Sequence, residues 1–262
     1  MGVINLTPDS FSDGGRFNTV ERAVAQAGRQ LSEGADVLDL GAQSTRPGAD
    51  EVGPEEEKRR LLPVLTAIRQ AYPDALISVD TFLAAVAEAA LEAGAHWIND
   101  VSGGRRDAAM LPLIADAGCP YVLMHSRGTS KTMDALTDYS DVVNDVRHAL
   151  QLDGDRAVAS GVNPQQLIWD PGLGFAKTTA QNLDLLAQLE TITSEGTPVL
   201  LGPSRKRFIG DVLHEPRARA RLWGTAAVCC RAVAAGVAIV RVHDVGPIRQ
   251  VVDMAAQLWP SR

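Results

Sequence analysis

The sequence predicts a single α/β domain over residues 1–262, a (β/α)8 TIM barrel, from three observations. Eight short aliphatic or β-branched runs alternate with helix-length segments from one end of the chain to the other. The runs are nearly continuous in apolar residues, as expected of parallel strands buried on both faces. The length of 262 residues is that of one such barrel. A doubly wound open sheet also fits the alternation, but no Gly-rich dinucleotide turn follows any of the runs.

In order, the predicted strands are Gly2–Leu6, Asp36–Leu40, Leu76–Val79, Trp97–Asn99, Tyr121–Met124, Leu167–Trp169, Pro198–Leu201 and Ala238–Val242. The segments between them carry a helical period. Val20, Val24, Ala27 and Leu31 share one face, and Leu222, Ala226, Cys229 and Val233 repeat that spacing. Gly34, Gly94, Gly118, Gly161 and Gly236 each follow a periodic segment and precede a strand, the place of a left-handed helix cap. The first strand starts at Gly2, which predicts a barrel with no N-terminal segment ahead of it to plug its lower mouth.

Composition narrows the class. A hydrophobic fraction of 45% with mixed charge excludes a disordered or collagen-like chain. A net charge of −7 argues against a nucleic-acid-coating protein. No apolar run reaches membrane-span length, and no basic-then-apolar leader opens the chain. Cys119, Cys229 and Cys230 show no zinc or CxxC spacing and read as reduced thiols of a cytoplasmic protein.

In barrels of this kind, chemistry sits at the C-terminal ends of the strands. Here every predicted strand ends in polar residues: Asn5 with TPDSFSDGG, Asp39 with GAQSTRPG, Asp80-Thr81, Asn99-Asp100, His125, Asp170 in DPGLGFAKT, GPSRKRF, and Arg241 to Asp244. One such Asp reads as a helix N-cap, but eight of eight ends describe a rim of convergent donors and acceptors. Arg46, Lys206, Arg241 and His243 gather positive charge on an acidic chain and suit an anion. Asp80, Asp170 and Asn99 suit a heterocycle rich in N–H groups. Asn5 is a neutral oxygen ligand able to complete a Mg²⁺ shell of phosphate oxygens and water. No nucleophile elbow surrounds Ser204, so binding and charge stabilisation are favoured over covalent catalysis.

Other polar residues have plain readings. His125 alone fits a core histidine; His96, His148 and His214 fit strand, helix and loop surroundings. The run Glu55-Glu56-Glu57 after Pro54 reads as structural, complementing a helix dipole.

MGVINLTPDSFSDGG, DVLDLGAQSTRPG, SVDT, INDVSGG, LMH, DPGLGF, GPSRKRFIG and RVHDV resemble, in order, the motifs of dihydropteroate synthase from Met1 to about Val245. That family is a (β/α)8 barrel. It joins p-aminobenzoate to 6-hydroxymethyl-7,8-dihydropterin diphosphate, giving 7,8-dihydropteroate and pyrophosphate in folate synthesis. The resemblance implies that Asp80, Asn99, Asp170 and Lys206 hold the pterin ring and that Arg241 and His243 bind the diphosphate, joined by Asn5 through Mg²⁺. It places Thr45 and Arg46 in a loop over the diphosphate and Phe11 and Pro47 around the aminobenzoate ring. It makes Arg46, Lys206, Arg241 and His243 the catalytic set, sulfonamides competitors, and the protein a homodimer. Four features depart from the usual pattern: Ala42-Gln43 where GGESTRPG has Gly-Glu, Ser130 where Pro is common, Arg207 where some members have Ser, and the missing N-terminal segment. Two related readings compete. One is a methyltransferase domain acting on a methylated folate and a corrinoid protein, which has no need of STRPG or RVHDV. The other is an inactive pterin-binding homologue, supported only by Ala42-Gln43.

Overall fold

Among the described residues, eight parallel strands close into a ring. β1 (Gly2–Asn5), β2 (Val37–Gly41), β3 (Leu76–Asp80), β4 (Trp97–Asp100), β5 (Tyr121–Met124) and β6 (Leu167–Asp170) pair in that order, and β7 (Leu200–Leu201) pairs with β8 (Ile239–Val240). Parallel bridges Trp169–Val199 and Gly2–Val242 join the two sheets at both seams. At the second seam, Val3 N–H donates to Val242 O at 2.9 Å and Val242 N–H to Met1 O at 3.0 Å. The computed structural model describes residues 1–7, 16–44 and 48–259, with the backbone alone at 16–19.

Helices cover the outside: α1 (Arg16–Ser32), α2 (Pro54–Ala71), α3 (Ala84–Glu92), α4 (Met110–Ala117), α5 (Val142–Ala159), α6 (Thr179–Ala187), the single turn α7 (Glu190–Thr193), α8 (Arg207–Leu213), α9 (Leu222–Ala234) and α10 (Val245–Leu258). Local chemistry starts several of them. Pro54 opens α2, Asp141 caps α5 through Val143 and Asn144 N–H, and Thr178 with Gln181 forms a capping box on α6. The five glycines expected at helix ends all have positive φ. Ala27, Ala226 and Cys229 are buried as the helical spacing predicts. The predicted Pro198–Leu201 and Ala238–Val242 shorten to the two-residue strands β7 and β8, because the bridges at Val199 and Val242 carry the pairing beyond them.

Alternation along the strands divides the core. Leu38, Leu40, Ile77, Val79, Ile98, Tyr121, Leu123 and Trp169 point outward and pack with the helices. Their neighbours Val37, Val122, Ile168 and Leu200 form a separate cluster with Met1, Trp97 and Ile239, inside the barrel at its lower end. Strand side chains and Met1 fill this lower end. Two residues further along the same strands, the interior turns polar.

Candidate active site

Asp39, Asp80, Asn99, Asp170 and Arg241 stand on the interior face two residues above Val37, Ser78, Trp97, Ile168 and Ile239, so strand geometry alone converges them. Arg241 is their hub. Its Nε donates to Asp39 Oδ2 at 2.6 Å, and its Nη2 donates to Asp80 Oδ2 at 2.7 Å. Asn99 Nδ2 donates to the same Asp39 oxygen at 3.4 Å. Asp39 is fully buried and its Oδ1 has no hydrogen-bond partner. Gly41 is close enough to Asp80 that its missing Cβ would stand 3.5 Å from the Asp80 Cβ.

Burial perturbs the charges. It raises Asp80 to about 7, against the pull of Arg241 and with the help of Asp39. Asp170 is raised by burial too, although Gly172 N–H donates to its Oδ1 at 2.7 Å. Lys206 is lowered to about 8 by burial, against the attraction of Asp170. For Arg241, burial opposes the charge but Asp39 and Asp80 outweigh it, and the guanidinium is held still more firmly. The interior thus sets three carboxylates, Asp39, Asp80 and Asp170, beside the cations Arg241 and Lys206.

Lys206 ends the loop after β7 and lies 4.1 Å over the ring of Phe175, from the loop after β6. Beside it, Asn5 Nδ2 and His243 Nε2 approach to 3.3 Å, while His243 Nδ1 and Ser204 Oγ are 2.9 Å apart. Arg205 pairs with Asp244 through two hydrogen bonds of 2.9 and 2.5 Å, which ties the SRK and HD segments together. Among the described residues no cluster of three His, Cys, Asp or Glu could cage a metal. With its amide nitrogen turned to His243, Asn5 has its oxygen left for a cation that an anionic ligand brings with it.

The structure therefore brings together Asp80, Asn99, Asp170, Lys206 and Arg241, with Asn5 and His243 as a neighbouring pair. Phe11, Thr45, Arg46 and Pro47 lie outside the described residues. The described flanks of the last three are anchored. Val52 N–H donates to Gln43 Oε1 at 2.6 Å, and Arg60 reaches Ala42 O at 3.3 Å. A Glu in place of Gln43 would offer the same acceptor, so the Ala42-Gln43 departure leaves this support standing. Ser130, a second departure, accepts at its carbonyl from Gly48 N–H at 2.8 Å and donates through Oγ to Ala49 O at 2.7 Å. Arg207 is spent on Asp134. A shallow cleft with Arg106, Arg127, Ser102 and Phe175 among its lining residues opens beside the polar interior.

Three residues escape a reading by motif. Asp39 marks the end of a predicted strand, and only the pairing with Arg241 makes it part of the site. Lys177, inside DPGLGFAKT, is buried beside His125. The acidic run occupies the first turn of α2 as expected, and Glu57 adds a feature that this reading lacks. Glu55 pairs with Lys58 at 2.6 Å and Glu56 with Arg59 and Arg60, but Glu57 is 0% exposed and neither carboxyl oxygen has a hydrogen-bond partner of good geometry. Burial raises it to about 7, although Thr81 and Arg60 pull the other way. Its signal was the spacing Glu57, Leu61, Leu65, which repeats every four residues on the buried face of α2.

Residues 1–243 match the pterin-binding enzyme family. The chain belongs to that family. It is 48% identical to dihydropteroate synthase of Synechocystis, over 99% of this chain and 89% of the other. Among solved structures, it superposes on Xanthomonas albilineans dihydropteroate synthase with 4-aminobenzoic acid at TM-score 0.93 and 42% identity, covering 100% of this chain and 93% of that one. A Yersinia pestis dihydropteroate synthase with a sulfonamide drug gives TM-score 0.93 at 39% identity, covering 100% and 94%.

Proposed function

We propose that this chain is a dihydropteroate synthase, a transferase that condenses 6-hydroxymethyl-7,8-dihydropterin diphosphate with p-aminobenzoate in folate synthesis. The observation that carries the reading is the buried polar set of Asp39, Asp80, Asn99, Asp170, Lys206 and Arg241 in a pterin-binding barrel. Asp80 and Asp170 accept from the pterin's amino and ring N–H groups, and Asn99 adds an amide. Lys206 over Phe175 supplies a charged and aromatic wall beside the ring.

The carbon–oxygen bond to diphosphate breaks with its electron pair going to the leaving oxygen. The pterin methylene cation left behind is attacked by the p-aminobenzoate nitrogen, which then loses one proton. Positive donors aimed at the leaving group lower that barrier. His243, Arg46 and Arg241 fill this role, and the 3.3 Å approach of its Nε2 to Asn5 Nδ2 supports it for His243. Asn5 would hold a Mg²⁺ bound with the diphosphate, whose charge would stabilise the departing pyrophosphate. Thr45 belongs with Arg46 at the diphosphate, and Phe11 and Pro47 with the aminobenzoate ring, where sulfonamides compete.

The molecule acts as a homodimer in the cytoplasm. Val212 and Leu213 on α8 and Trp223 on α9, which is 76% exposed, support an apolar contact face. Unpaired Cys119, Cys229 and Cys230 support a reducing compartment, and no described helix is long and apolar enough to cross a membrane.

Purified protein given Mg²⁺, the pterin diphosphate and p-aminobenzoate is expected to release pyrophosphate and form dihydropteroate. Pterin binding without product above a protein-free control would sink the reading and leave a binding homologue.

A further inference from the structure

The loop between β6 and α6 has an unusual interior. Gly172, Gly174 and Ala176 have φ of 69°, 75° and 47°, three left-handed residues within five positions. Gly172 is held tightly: a Cβ there would stand 2.0 Å from His125 O. Ala176 has no glycine's freedom and is strained at its φ, so the surroundings must hold it there.

The centre of that winding is Lys177, 4% exposed. Its Nζ lies 3.0 Å from Gly172 O, 3.1 Å from Phe175 O and 3.0 Å from His125 Nδ1. An ammonium has three protons, and these are three acceptors. Asn182 closes the loop from outside, accepting from Gly174 N–H at 2.7 Å and donating to Thr178 O at 2.7 Å. The charged groups facing Lys177 are Asp170, Arg127, Lys206 and Arg105.

We propose that Lys177 is the positioning residue of the site, which winds the loop after β6 around its ammonium, sets Phe175 under Lys206, and holds His125 as the Nε2–H tautomer. Burial lowers Lys177 to about 7, so at pH 6 it is an ammonium that can only donate, and the Nδ1 it faces must be unprotonated. Phe175 is fixed through its own carbonyl, and its ring carries the Lys206 ammonium. The chain of contact therefore runs from Lys177 to a pterin-binding residue without Lys177 touching the pterin. The kinetic part of the proposal rests on the synthase reading; the tautomer does not.

The test is nitrogen NMR of the full-length protein labelled at histidine, at pH 6, with the signals assigned by loss in His125→Gln. The wild type is expected to show His125 with an unprotonated, accepting Nδ1 and a protonated Nε2. The Lys177→Met variant is expected to lose the hydrogen-bonded Nδ1 signature and to lower kcat/KM for the pterin diphosphate at least tenfold, with unchanged circular dichroism. A protonated His125 Nδ1 in the wild type overturns the proposal, as does a folded Lys177→Met variant within twofold of wild-type kcat/KM. If Lys177→Met does not fold, the wild-type tautomer decides alone. Wild-type turnover is measured alongside. Its absence counts against the synthase reading, and the NMR result still judges Lys177.

Discussion

The lower and upper halves of the barrel interior are made by the same strands, two residues apart. Val37 stands below Asp39, Trp97 below Asn99, Ile168 below Asp170 and Ile239 below Arg241. The lower half is a packed apolar cluster with Met1, Val122 and Leu200, and the upper half is a hydrogen-bonded set of charges. One period-2 face therefore carries apolar packing at one end and hydrogen-bonded charges at the other. The apolar floor also explains the pKa shifts above it. It excludes water from beneath, and burial is the first cause of the shift at Asp80, Asp170 and Lys206.

The largest effect separating the two halves is expected from Arg241→Ala. It leaves Asp39 and Asp80 without their cation and removes the proposed donor to the diphosphate, and kcat/KM should fall on the order of 10²–10³. Affinity for the diphosphate substrate should fall far more than affinity for dihydropteroate in titration calorimetry. Equal losses for both ligands reject a role for Arg241 at the diphosphate. The counterpart in the lower half is Leu200→Ala. It should cost about 2–5 kcal/mol in denaturant unfolding and leave the KM values near wild type. A large KM change there would mean that the two halves are not separable.

Outside the barrel wall, Glu57 sharpens the contrast, because it is a buried carboxyl with no cation set beside it comparable to Arg241. Its folded pKa of about 7 exceeds its ordinary 4.5, so the folded state binds the extra proton. Its contribution therefore favours the folded state at acid pH and is lost as pH rises from about 4.5 through 7. Glu57→Gln cannot ionise, and it should gain about 1–3 kcal/mol over wild type at pH 8 with little difference at pH 4. Chemical denaturation at the two pH values checks this, and an equal effect at both contradicts it. The smallest effect is expected from Ser130→Pro, which removes the Oγ bond to Ala49 at the flank of the second loop. It should cost less than about 1 kcal/mol, read as a small shift in the denaturation midpoint.

The barrel itself was legible in the sequence because strand runs, helix periods and left-handed glycines are local signals. The site was legible as a set of residue types at strand ends, and Asp80, Asn99, Asp170, Lys206 and Arg241 do meet. Their pairing was not, since Arg241 and Asp39 lie 202 positions apart and only ring closure brings them together. Lys177 was hidden for a different reason. A lysine just before the helix cap Thr178 ordinarily faces water, and nothing local announces the left-handed turns that wrap this one. Glu57 was partly legible: the acidic run marked the start of α2, while the four-residue spacing to Leu61 and Leu65 put Glu57 on the buried face.

The measurement that bears most directly on this division is a crystal structure with 7,8-dihydropteroate. The pterin should lie on the interior face with its N–H groups on Asp80 and Asp170, above Val122 and Ile168, and with Lys206 and Phe175 beside it. A pterin seated outside the barrel mouth, with the Asp39–Arg241–Asp80 set untouched and at a distance, would contradict the account.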